Sequence, residues 1–355
     1  MRSVIARLSL GFSLITLTAV LLLASDWHQR RPAAQRIPQI AILLYSSTPV
    51  LEEGREGALE TLRENGFIDG QTIALRHYNA EGDVATLNAI ARQVTDGQFD
   101  MVMTFSTPAM QAVAKANTKG KAMHIFGLVA DPFAAGVGLR RDAPLDHPRH
   151  FVGTGIPLPV GESFKLARQM FPGLKAVGVA WNPAESNSVG FVGQARKAAQ
   201  ELQIELLEAH VDNSSAVLEA ASSLASRGAE ALWVPGDNTI LSALNSVLSA
   251  AKKARIPVFG ISPGDPERGT ILDLGANFHE IGKLTGKLAL DIIRGADPAQ
   301  IPVRDFSPRW LVVNKLAVNG LKDPWRIPDD IAASADILVD ENRSTRKSGA
   351  AAGGR

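Results

Sequence analysis

No cysteine occurs among the 355 residues. That removes disulfides, thiolate metal sites, a cysteine nucleophile and a lipid-bearing cysteine. An oxidising compartment is compatible with such a chain but not required by it. An excess of either charge is missing as well, since 37 basic residues face 36 acidic ones for a net charge of +1. No basic field is available to hold nucleic acid, and no acidic excess marks a solvated tail. The signatures of common catalysts are absent too. The first strand-like run is followed by Ser46-Ser47-Thr48-Pro49 rather than a GxGxxG, and there is no GxxxxGK[ST] loop. No G-x-S-x-G stands at a strand-to-helix turn. The seven histidines are scattered without an HExxH, and His147 and His150, which share a Pro-containing loop, make a poor metal pair. No cofactor and no metal is expected, and an enzyme reading is weak.

What remains is an ordinary globular composition, 45% hydrophobic and 21% charged, in a chain long enough for two domains. Its first 36 residues stand apart. Arg2 and Arg7 precede an apolar run from Leu8 to Ala24, followed by Asp26, Arg30 and Arg31. A basic start and an apolar stretch of this length read either as a cleaved export signal or as an uncleaved anchor. Both place the remaining chain outside the cytoplasm, and an uncleaved segment would keep contact with the membrane.

From Ile37 the pattern alternates strand and helix. Strands are expected at Ile40–Tyr45, Thr72–Tyr78, Met101–Phe105, His124–Val129 and Phe151–Ile156, with helices Leu51–Asn65 and Val84–Thr95 and another from Pro108. After Pro157-Leu158-Pro159 the alternation restarts. It runs through helix Gly161–Met170, strand Ala176–Trp181, helix Val189–Leu202, strand Glu205–His210 and helix Ser214–Ser226. Strand Ala231–Pro235, helix Ile240–Ala254, strands Val258–Ile261 and Thr270–Leu274, helix His279–Arg294 and strand Trp310–Val313 complete it. Lys322–Ile331 reads as a Pro-rich surface segment and Arg343–Arg355 as disordered. Such alternation implies an α/β fold with parallel sheets and helices on both faces.

Ligand-binding groups are well supplied. In an open α/β sheet ligands sit beyond the carboxyl ends of the strands, and the N–H groups opening a helix favour an anion there. Three segments share the order apolar strand, polar turn, helix. They are Phe105-Ser106-Thr107-Pro108, Trp181-Asn182-Pro183-Ala184-Glu185-Ser186-Asn187-Ser188, and Val234-Pro235-Gly236-Asp237-Asn238-Thr239. Thr107 is either a carboxylate ligand or a simple helix cap. Asp237 could pair with an ammonium, and ligand contact is favoured over its alternative, a cap ahead of Thr239. Ser46, Ser47 and Thr48 form a hydroxyl cluster after the first strand. Asp131-Pro132 reads as a turn and helix start, and Phe105 and Trp181 as core or as an apolar wall.

Together these residues resemble a known family. Thr107-Pro108-Ala109, Asp131-Pro132 with Ala135-Gly136, Asn182-Pro183-x-Glu185-x-Asn187-Ser188 and Pro235-x-Asp237-Asn238-Thr239 look like its successive signatures, in the same order and spacing. The family is the substrate-binding proteins of ABC importers that include tryptophan/tyrosine-type amino-acid receptors. The resemblance spans roughly Ile40 to Leu338. It implies the type I periplasmic-binding fold, two Rossmann-like lobes joined by a hinge. The lobes would be 37–156 with about 278–305, and 157–277 with about 306–340, followed by a tail at 341–355. It also implies an extracytoplasmic receptor that closes on a small amino-acid-like ligand, aromatic or branched, and presents it to an ABC permease. Ser46, Ser47, Ser106, Thr107, Asn182, Glu185, Asn187, Ser188, Asp237, Asn238 and Asn277 are its candidate ligand contacts, with Glu185 and Pro183 the residues most suited to shaping the loop instead. The chain departs from the family at Ser46–Pro49, at Asn277-Phe278, where an acidic-Tyr pair is usual, and in lacking a lipobox cysteine. The alternative function is a membrane-anchored periplasmic sensor that signals occupancy to a partner protein.

Overall fold

The computed structural model describes residues 16–21, 36–265, 267–341 and the backbone of 345–346. The chain forms two units, Met1–Pro38 and Gln39–Arg355. In the first, residues 16–21 are helical; the rest of the expected signal or anchor lies outside the described residues. No helix among the described residues is long and apolar enough to cross a membrane.

The second unit carries two sheets. The first has six strands: β1 (Gln39–Leu44), β2 (Ala74–Asn79), β3 (Met101–Phe105), β4 (Met123–Val129), β5 (Phe151–Gly155) and the short β11 (Arg304–Asp305), in the order β11-β5-β4-β3-β1-β2. All its pairings are parallel. The second sheet contains β6 (Ala176–Trp181), β7 (Glu205–His210), β8 (Ala231–Val234), β9 (Val258–Gly260), β10 (Leu272–Gly275), β12 (Trp310–Asn314), β13 (Ile337–Val339) and β14 (Thr345–Arg346). Its order is β14-β13-β12-β10-β9-β8-β6-β7, with antiparallel pairs only at β10–β12 and β13–β14. Strands such as β3, apolar but for Thr104, and the fully apolar β8, with every residue buried, are what a parallel sheet covered on both faces demands. Each sheet is the base of one lobe.

The helices are α1 (Pro49–Glu64), α2 (Val84–Val94), α3 (Thr107–Ala116), α4 (Val160–Met170), α5 (Ser186–Glu201), α6 (Val217–Ser226), α7 (Asn238–Ser242), α8 (Leu244–Ala254), α9 (Phe278–Ile293) and α10 (Asp329–Ser334). Helix α9 leaves the second sheet after β10 and lies against α1, which follows β1 of the first. The two helices touch backbone to backbone. A Cβ on Gly57 would run into the His279 carbonyl, and one on Gly282 into that of Gly54. Thr61 Oγ1 adds a bond to the Lys283 carbonyl at 3.4 Å. One large hydrophobic cluster runs through both lobes, from Ile40 and Met103 to Trp233 and Phe259.

Five local expectations change. The helix expected over Ile240–Ala254 is two helices, broken at Ala243. Helix α5 starts at Ser186, so Asn187 and Ser188 belong to its first turn. Asp131 makes a turn, its Oδ1 accepting from Phe133 N at 3.0 Å and Ala134 N at 3.1 Å, with no helix following. The Pro-rich 322–331 segment does more than skirt the surface: Trp325 and Ile331 are buried, and Trp325 packs its ring on Phe171 at 5.3 Å. Within the tail expected to be disordered, Thr345–Arg346 pair with β13, while 342–344 and 347–355 lie outside the described residues.

Candidate functional site

The carboxyl ends of β3 and β4 in one lobe face those of β6, β8 and β9 in the other, and a cavity lies between them. On the first lobe's side Ser106 leaves β3 with φ +116°, donates its N–H to Gly127 O at 3.3 Å and caps α3 by accepting from Ala109 N at 3.3 Å. Thr107 follows at the first helical position, where leading N–H groups have no acceptor within the helix. Its Oγ1 accepts from Ala130 N at 3.4 Å.

On the second lobe's side two loops fifty residues apart in sequence are tied together by carboxylates. Glu185 accepts four bonds: Asn238 N at 3.0 Å and Nδ2 at 2.6 Å on one oxygen, Thr239 N at 2.9 Å and Oγ1 at 2.7 Å on the other. Asp237 caps α7 by accepting from Ile240 N at 3.0 Å, and its second oxygen accepts from Asn182 N at 2.7 Å and Ser188 Oγ at 2.5 Å. Asn182 Nδ2 closes the ring by donating to Thr239 Oγ1 at 2.9 Å. Burial, and next the Glu185 charge, push the Asp237 carboxyl up to about 8, while its three donors pull it partly back. The pair also reaches across the cleft: Tyr45 of the first lobe is pushed up to about 12, by burial first and then by Glu185 and Asp237.

The cavity is small, about 30 Å³, and is lined on its polar side by Ser106, Thr107, Asn187, Asn238 and Ser262. Asn187 Nδ2 donates to Gly236 O at 2.9 Å, whereas its buried Oδ1 has no partner. The apolar wall includes Val50, Leu51, Leu128, Phe191, Leu241 and Phe278. A second chamber of about 100 Å³ adjoins it, sharing Thr107, Ala130, Asn187 and Phe191. The lobes are bridged beside it by Ser186 Oγ, which donates to Gln111 Oε1 at 3.2 Å.

Of the eleven candidates, Ser106, Thr107, Asn187 and Asn238 are brought to one cavity. Asn182, Glu185, Ser188 and Asp237 stand behind it. For Asp237 this differs from the favoured expectation: the residue is wholly buried and holds a helix start and a neighbouring loop, the alternative role. Ser46 is buried with an unpartnered Oγ but does not line the cavity. Ser47 is exposed and accepts from Asn79 Nδ2 at 2.6 Å. Asn277 caps α9 through Glu280 N at 3.2 Å, and its neighbour Phe278 is the one at the cavity. Sequence reasoning missed Ser262, although it stands just past β9 in the same strand-then-polar order. It also missed the apolar wall, whose members read as ordinary core.

Residues 39–338 match the family described as ABC transporter substrate binding protein. The chain belongs to that family. It is 28% identical over 320 residues, 90% of each chain, to a tyrosine-binding protein of Clostridioides difficile. Among solved structures it resembles an ABC domain from Streptococcus pneumonia in complex with L-Trp, at 25% identity and a TM-score of 0.76, covering 84% of this chain and all of that one. A ligand-free, open structure of a substrate binding protein from Clostridium difficile matches at 28% identity, with a TM-score of only 0.58 over 81% of this chain and 96% of the other. This substrate-binding protein thus has the two-lobed periplasmic-binding fold, and its family is one of receptors rather than enzymes.

Proposed function

We propose that this protein is the extracytoplasmic receptor of an ABC importer, closing its lobes over an amino acid with an apolar side chain. The observation that carries this is Asn187: a buried acceptor without a partner shares one small cavity with the α3 helix start at Thr107. A helix start suits a carboxylate, and a lone amide oxygen suits an ammonium. A zwitterion satisfies both, and the surrounding Val50, Leu51, Leu241 and Phe278 suit an apolar side chain. The names of the tyrosine-binding relative and of the L-Trp complex support the same class.

A cavity of about 30 Å³ admits little more than water, whereas small-molecule sites measure roughly 300–1,000 Å³. An amino acid therefore enters only when the lobes part, and they then close around it less tightly than here, a hinge motion that the bound ligand stabilises. The better superposition on an L-Trp complex than on an open relative supports a closed arrangement here. The lobes are taken as 37–156 with 278–305, and 157–277 with 306–340. The first 36 residues export the protein, as a cleaved signal or as an inner-membrane anchor, and a permease takes the ligand from the closed receptor.

The test is a thermal-shift screen of the full chain against amino acids and sugars. A ligand at a hundred times its Kd adds about 2.7 kcal/mol. A rise in Tm with apolar amino acids, abolished in Asn187→Leu, is the expected result. A rise with sugars alone would overturn the amino-acid assignment.

A further inference from the structure

We infer that Leu128 sets the size of side chain the cleft accepts; this rests on reading the cleft as an amino-acid site. Leu128 stands at φ +55°. Five non-glycine residues among those described have positive φ; Glu81, Ser106, Gln203 and Arg255 are polar, and Leu128 alone is a large hydrophobe. A bulky side chain in the left-handed region is a steric outlier, and glycine would meet the same backbone demand freely. A leucine in that position has a task for its side chain.

The surroundings say why the backbone turns there. The preceding Gly127 is pressed by α9, where any Cβ would collide with Thr285 Oγ1. The ladder to β5 then skips from Phe126↔Gly153 to Val129↔Gly155, which leaves Leu128 bulged out of register. Bulges re-aim side chains beside functional sites. Here the leucine becomes part of the cavity wall, only 6% exposed. Both of its terminal methyls rest against Gly54 of α1, where an added Cβ would lie 2.6 Å from each. Gly54 makes the room that lets Leu128 reach this place. The leucine is thus backed by α1, with α9 pressing on the preceding Gly127, while it faces a cavity about one water in size. Side chains a methylene too large for a close-fitted apolar wall are discriminated against by roughly 10–200-fold.

The experiment titrates the full chain, Leu128→Ala and Leu128→Gly with L-leucine, L-phenylalanine, L-tryptophan and indole by calorimetry. Leu128→Gly relieves the backbone and supplies a folded variant should Leu128→Ala fail. The ratio of L-tryptophan to L-leucine affinity is expected to rise at least about tenfold in the variants. An unchanged ratio, or one common factor for all three amino acids, overturns the inference. Should the wild type bind none of the three, the amino-acid reading falls and the indole arm decides. Indole held by the variants and refused by the wild type keeps Leu128 as the filter, and any other pattern removes it.

Discussion

Replacing Glu185 by alanine is expected to loosen the ligand side of the second lobe without touching the cavity wall. Its carboxylate is the common acceptor for Asn238 N, Asn238 Nδ2, Thr239 N and Thr239 Oγ1, all buried. Each orphaned donor costs about 1–3 kcal/mol, so four set a range of about 4–12 kcal/mol. Water entering the space and relief of repulsion with Asp237 favour the lower end, about 4 kcal/mol. That is a large share of an ordinary folding stability of about 5–15 kcal/mol. At about 2–4 °C per kcal/mol, smaller for a body of this size, Tm should fall by about 8 °C. Ligand affinity should fall with it, because Asn187, Gly236 and Asn238 are held in mutual position by this network. Differential scanning calorimetry and titration on one preparation read both effects. A Tm drop below about 2 °C would refute the network as the clamp, and a large Tm drop with unchanged affinity would refute its role in arranging the site.

Three further outcomes follow from other contacts. Asp237 and Asp273, raised by burial from 3.8 to about 8 and about 7, bind protons in the folded state that the unfolded chain has lost. Their contribution to stability is therefore complete below about pH 4 and is lost as pH rises through the folded values. His124, lowered from 6.5 to about 3 by burial, acts oppositely and only below about pH 6.5. Tm should decline from pH 6.5 to 8, and Asp237→Asn should flatten that slope; a Tm rising over this interval would contradict the assignment. Gly282→Ala should destabilise by more than 1 kcal/mol despite alanine's better helix propensity, because its Cβ meets the Gly54 carbonyl. A more stable variant would contradict the backbone-to-backbone packing of α1 and α9. Ser186→Ala removes the bond to Gln111 across the lobes, worth about 0.5–1.5 kcal/mol. Its ligand off-rate should rise up to roughly tenfold, and an unchanged off-rate would mean the bridge does not hold the closed state.

The strands were the most legible part of the sequence. Met101–Phe105 and Ala176–Trp181 carry their full bounds as largely apolar runs between turn residues. The break at Ala243 was illegible, since alanine is a good helix former and only the turn of α7 into α8 decides it. Trp325 sits among prolines that spoke for the surface, yet its ring finds Phe171 far away in the chain. Ser106, Thr107, Asn187 and Asn238 could be picked out because each follows a strand as a polar residue at a helix start. Whether Asp237 faces the cleft or the neighbouring loop depends on Asn182 and Ser188, about fifty residues distant, and no local pattern records that proximity. Leu128 was invisible for a related reason, because nothing in the order of residues marks a leucine for positive φ.

The central claim is that Thr107 and Asn187 together hold the two charges of an amino acid. Isothermal titration of the full chain with L-leucine, 3-methylbutylamine and 4-methylpentanoate tests it most directly. The account expects L-leucine to bind, and each analogue lacking one charged group to bind more than about tenfold weaker, since it leaves one side of the site unpaired. Equal binding of all three, or of either analogue and the amino acid, would contradict it.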